Sequence, residues 1–154
     1  MSNLIKKTYN QLIAARKEDI NFWILFSFLP TFIIARLLVY NAPTLFINIR
    51  GTHIHHMAWG IFLLAISGFL AQNFHQRKLR IIIAIFYGIG LALSFDEFGM
   101  WLRLKDAYWI RQSYDAIVII SAILINVVYF ENFWIKILRL KRFLKESKNS
   151  FIVK

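Results

Sequence analysis

The chain has no cysteine among its 154 residues. Disulfides and thiolate metal sites are excluded, so any metal must be held by nitrogen and oxygen. Acidic residues number only 8 against 19 basic ones, and charged residues make up 18% of the chain. An ordinary soluble domain carries roughly 25%. The chain contains no G-x-S-x-G elbow and no phosphate loop. Gly88 and Gly90 follow no strand and make no nucleotide fingerprint; helix packing is their expected role. There is no internal repeat, low-complexity tract or second domain, and residues 1–154 read as one membrane domain. The net charge of +11 would suit nucleic acid, but the basic residues lie in connections and tails rather than on one face, and no nucleic-acid partner is expected.

Hydrophobic residues are abundant, at 58%, and they cluster in long runs. Four runs, at about 20–40, 53–74, 81–102 and 114–138, reach the roughly 20 residues that a helix needs to cross about 30 Å of hydrocarbon. They do not alternate as barrel strands do. The expected fold is therefore all-α: a polytopic four-helix transmembrane bundle. Residues 2–19 place Leu4, Ile5, Tyr9, Leu12 and Ile13 on one face, as an N-terminal amphipathic interfacial helix would, and do not have the layout of a signal peptide. Fourteen of the 19 basic residues fall before the first run, between the second and third, or from Lys136 through the basic tail 139–154. The positive-inside rule puts those segments, and both termini, in the cytoplasm. Pro30 is expected to kink the first span.

The other polar groups collect at one depth, on the opposite side. His53, His55 and His56 open the second run, Asp96 and Glu97 lie late in the third, Asp106 sits in the connection that follows, Asp115 opens the fourth, and Arg36 is in the last turns of the first. His53 and His56 are three apart and share a helical face, and Gly60, Ser67 and Ala71 continue below His56. Ala84, Gly88 and Ala92 step up to Asp96 on a face of small residues that marks close helix contact. Asp115, Ala122, Asn126 and Tyr129 make a similar stripe. Glu97 is turned about 100° from Asp96 and is free to pair with Arg36 instead, and His55 is turned away from the other two histidines.

Ionisable residues within spans are costly, about 2.5–3.5 kcal/mol each at a helix centre, and mark functional sites by default. Three readings stand open. In the first, His53, His56 and Asp96 ligate a divalent transition metal (zinc, iron or manganese), with His55, Glu97 or Asp115 as further ligands. In an enzyme of that kind, Glu97, Asp106 or Asp115 would be the base acting on metal-bound water, on a lipid-like substrate. In the second, the charges are structural ion pairs, Arg36 and Arg103 among the cations, in a non-catalytic subunit or an ion-handling protein. The third is a metal-free polar pocket. The expected partners are membrane lipids, with a protein partner or a second copy also open.

HIHHMAWG at 53–60 and LSFDEFGMWLRLKDAYW at 93–109 resemble a group of small bacterial four-span integral membrane proteins that share H-x-x-H-x-x-x-G and D-E-F-x-x-W-L-x-L-x-D-x-Y-W patterns. The resemblance implies a bacterial inner membrane as the location. It singles out His53, His56, Asp96, Glu97, Asp106, Tyr108 and Trp109. A looser similarity, to membrane metal-hydrolases of the ceramidase and adiponectin-receptor type, implies zinc held by histidines and an aspartate.

Overall fold

The computed structural model describes residues 2–41, 48–49, 52–53, 55–104 and 111–152, with the backbone alone described at 2–4, 48–49, 52–53, 132 and 141–152. The fold is all-α. Helix α1 (Ser2–Leu12) is followed by a short 3-10 turn (Ala14–Arg16) and helix α2 (Ile20–Asn41). Strands β1 (Asn48–Ile49) and β2 (Thr52–His53) form a small antiparallel pair, in register Asn48 to His53. Helices α3 (His56–Asn73), α4 (Arg77–Asp96), α5 (Phe98–Arg103) and α6 (Arg111–Ile152) complete the chain.

Among the described residues, three helical stretches are long and apolar enough to cross a membrane: Ile20–Asn41, Arg77–Asp96 and Arg111–Glu131. The second expected span is not among them. α3 has 18 residues and ends on Gln72 and Asn73, so polar groups occupy both of its termini. α2 runs unbroken through Pro30. Its start is set by Asp19, whose Oδ1 accepts the Asn21 N–H at 2.8 Å and so satisfies a first-turn amide that has no partner within the helix.

Three boundaries differ from the sequence reading. The second run becomes helical only at His56, because His55 is extended (φ −62°, ψ 142°) and His53 belongs to β2. The shared helical face of His53 and His56 therefore does not form. The third run breaks at Glu97 (φ −100°, ψ 11°), which ends α4 and begins α5. The fourth continues as helix through the basic tail to Ile152, 42 residues in all. At 1.5 Å per residue that is about 63 Å, twice the thickness of a bilayer core.

α4 lies between α2 and α3, and α6 packs against α2, α4 and α5. Phe28, Ala92 and Ile117 bury one core at the α2–α4–α6 junction; Phe22, Leu25 and Val128 bury a second between α2 and α6. The stripe of small residues on α4 packs against α2. A β-carbon at Gly88 would collide with the Ile24 carbonyl and the Ser27 hydroxyl, which is itself turned back to donate to the Trp23 carbonyl at 2.9 Å. The α3 contact uses the neighbouring face: a β-carbon at Gly60 would sit 2.6 Å from the Ser94 nitrogen and 2.8 Å from the Gly90 carbonyl. Side chains are excluded there so that the backbones can touch.

Candidate functional site

The close contacts at Gly60 and Gly90 bring the start of α3 beside the last turns of α4, and the ionisable residues meet there. Asp96 ends α4 with no exposed surface, and Glu97 (4% exposed) and Arg36 (8% exposed) are buried beside it. The Arg36 guanidinium forms an ion pair with Asp96 Oδ1 and donates to the Asp96 backbone carbonyl at 2.7 Å. It also stacks over the Tyr114 ring, 4.5 Å from the centroid, and lies 5.4 Å from that of Phe32. Arg36 is thus bound to Asp96 rather than to Glu97, the partner left open by the sequence. An Arg suits this place because its planar head can accept an aromatic face and an acidic edge at once.

Glu97 serves α3. Its Oε2 accepts the Met57 N–H at 2.9 Å, a first-turn amide of a helix that has no side-chain cap of its own. The helix N-terminus carries roughly half a positive charge, which favours a carboxylate at this position. The other oxygen, Oε1, lies 3.1 Å from His55 Nδ1 and 3.5 Å from His56 Nδ1. His55 therefore takes part, contrary to its expected orientation. The reason is the late start of α3, which leaves His55 extended and turned toward Glu97.

His56 links the two carboxylates: Nε2 lies 2.8 Å from Asp96 Oδ2 while Nδ1 faces Glu97 Oε1. The break at Glu97 makes this possible. In one continuous helix Asp96 and Glu97 would diverge by about 100°; the non-helical torsion at Glu97 re-aims its side chain into the same cluster. Both imidazoles keep an open side, with 36% of the His55 side chain and 27% of the His56 side chain exposed. The cluster is thus closed toward the bundle and open at the histidines.

Other expected members lie elsewhere. Asp115 is exposed and pairs at 3.6 Å with Arg111, one turn away on α6; the buried face of α6 at this level carries Ser113, Ala116 and Ile117 instead. Ser113 Oγ accepts the Gly99 N–H at 2.9 Å and so ties α6 to α5. Arg103 is exposed and has no ion pair among the described residues. The His53 side chain and Asp106, Tyr108 and Trp109 fall outside the described residues. Of the candidate bases among the described residues, Glu97 is in the cluster and Asp115 is not. Tyr114, read from sequence only as a boundary aromatic, is the member that was missed; its signal was its place at the outer start of the fourth run, level with Arg36. Among the described residues, no group of three or more His, Asp or Glu side chains is arranged to hold a metal ion.

In comparisons with protein-family models, curated proteins and solved structures, the chain matches none.

Proposed function

We propose that this is a four-span integral membrane protein that binds a cation at its outward-facing His/carboxylate cluster, with a proton as the cation in the arrangement described. The observation that carries this reading is His56, whose two ring nitrogens both face carboxylate oxygens, at 2.8 and 3.5 Å. A neutral imidazole has one N–H and one lone pair, and would present that lone pair to a carboxylate. Facing both carboxylates favourably therefore requires one further proton on the imidazole. Charge leads to the same place. Two buried carboxylates stand against one buried guanidinium and the partial charge of the α3 N-terminus, and uncompensated charge in such a setting is costly. Exposure of both histidines offers the cation a route from the surface. The role is ion handling, with Arg36 and Asp96 as the locked half of the site and His55, His56 and Glu97 as the exchangeable half.

Topology belongs to the same proposal. α3 spans about 27 Å, close to the hydrocarbon thickness of about 30 Å. It packs alongside α4, which supports counting it as the fourth span. The distribution of basic residues supports cytoplasmic termini and, with the resemblance, a bacterial inner membrane. Because the chain has no cysteine, single cysteines introduced at Ser2 and at Arg103 can be labelled from either side of sealed vesicles. Opposite accessibility is expected, and labelling from the same side would overturn the topology.

Nitrogen NMR of histidine-labelled protein tests the site. Two protonated ring nitrogens on His56 are expected, or one with a bound metal. A neutral His56 in metal-free protein would sink the cation reading. A divalent metal is the second reading: the side chains of His55, His56 and Glu97 supply nitrogen and oxygen donors, but they would have to rearrange to share one ion. Both Nδ1 atoms approach the same Glu97 oxygen, at 3.1 and 3.5 Å. Asp96 takes no part in that set, because Arg36 and His56 engage its two oxygens. Elemental analysis of the purified protein separates the two cations: near-stoichiometric metal, lost in His55→Ala/His56→Ala, marks the metal.

A further inference from the structure

α3 and α4 touch at their outer halves and part at their inner halves, where they leave a groove of about 440 Å³. Leu63, Ile66 and Phe74 line one wall, and Leu79, Ile82 and Phe86 the other. The α4 residues recur at one helical face over seven positions, so the groove extends about 10 Å along the membrane normal from the α3–α4 connection. Its size is that of a small-ligand pocket, about 300–1,000 Å³, and its wall is hydrocarbon. Water is a poor occupant for an apolar groove of this size, and an acyl chain is the fitting one.

The mouth has the opposite chemistry. Phe74 and Leu79 flank His75-Gln76-Arg77-Lys78, which runs from the connection into the first turn of α4, and Arg80 follows. α4 begins here without a side-chain cap, its first-turn amides directed at the connection. Arg77 is engaged by Glu18 from the segment before α2. Lys78 and Arg80 are exposed, with no ion pair among the described residues. An apolar slot ending in two cations and the positive end of a helix is complementary to one kind of molecule, a lipid with a negatively charged phosphate headgroup.

We infer that the α3–α4 groove binds one anionic phospholipid, with an acyl chain between Ile66 and Ile82 and its phosphate on Lys78, Arg80 and the α4 N-terminus. This site is at the other end of the bundle from the His/carboxylate cluster and does not depend on the cation. Basic residues near a membrane surface attract anionic lipid, and the groove turns that general attraction into a single seat.

The test is native mass spectrometry of delipidated full-length protein offered equal amounts of phosphatidylglycerol and phosphatidylcholine in detergent. One phosphatidylglycerol per chain is expected to be retained in preference. Lys78→Ala and Arg80→Ala should each lower that preference roughly fivefold. Ile82→Trp, and independently Ile66→Trp on the facing wall, should abolish retention of the single lipid while the variants keep their thermal transition. The inference is overturned if the two lipids are retained alike, if the double variant Lys78→Ala/Arg80→Ala keeps the preference, if folded groove variants keep the lipid, or if a free fatty acid competes as well as phosphatidylglycerol.

Discussion

The two ends of the α3–α4 pair follow opposite rules. At the end that holds the His/carboxylate cluster, Gly60 and Gly90 bring the backbones into contact, and every ionisable group of the cluster has a partner. At the opposite end, beside the α3–α4 connection, the same helices diverge, no charge is buried among the described residues, and the space between them is lined by hydrocarbon. The difference teaches what each kind of contact does in lipid. Apolar side chains gain little by facing each other when the solvent is itself apolar, so divergent helices leave a surface for lipid to cover. Buried charges gain much by meeting, because the alternative is an unpaired ion in a medium that cannot solvate it. The cluster end is therefore where the bundle is held in register, and the opposite end is where it can accommodate something else.

Substitutions should separate the two ends by size of effect. The largest is expected for Asp96→Ala, which leaves the Arg36 guanidinium buried without its carboxylate and should cost about 3–5 kcal/mol of unfolding free energy in mixed micelles. Replacing both partners, as in Arg36→Met/Asp96→Leu, should recover much of that loss; a double variant as unstable as the single one would show that the pair does not act as a unit. Glu97→Gln keeps an acceptor for the Met57 amide but removes the charge. A loss of about 1.5–3 kcal/mol is expected, and no loss would mean that the carboxylate does not hold the start of α3. Gly88→Leu forces α4 away from the Ile24 carbonyl and should cost about 1–3 kcal/mol in the same assay.

Two further changes probe places where the contrast predicts little. Gly68, on α3 and away from any neighbour, has nothing within 4 Å of an added β-carbon. Gly68→Ala should therefore stabilise the helix, by up to about 1 kcal/mol; destabilisation would reveal a close contact at that point. Asp115→Asn removes one member of an exposed pair on α6 and should shift stability by less than about 0.5 kcal/mol. A large loss there would return Asp115 to the cluster.

Much of the site could be read before any coordinates. The step of four from Ala84 to Asp96 placed that carboxylate inside the bundle, since only a face of small residues permits such close approach, and Asp96 is fully buried. The convergence of Arg36, His56, Asp96 and Glu97 at one depth followed from counting 1.5 Å per residue along apolar runs whose ends are set by charge. His55 and Tyr114 were not placed by the same means. Helical periodicity assigns directions only within an unbroken helix, and the chain leaves the helix at both His55 and Glu97.

Composition and the order of residues were enough to establish a helical membrane chain, because runs of some twenty apolar residues have no other stable arrangement in which every backbone amide is paired. They also established the layer in which its ionisable groups lie. Which carboxylate Arg36 takes, which histidines reach Glu97, and that α3 begins under the Glu97 carboxylate were decided by the packing of three helices. These pairings depend on a rotation of about 100° between adjacent residues and on contacts between residues some 40 to 60 positions apart. A one-residue change in where a helix starts redirects every side chain after it, and that start is set by a partner distant in the chain.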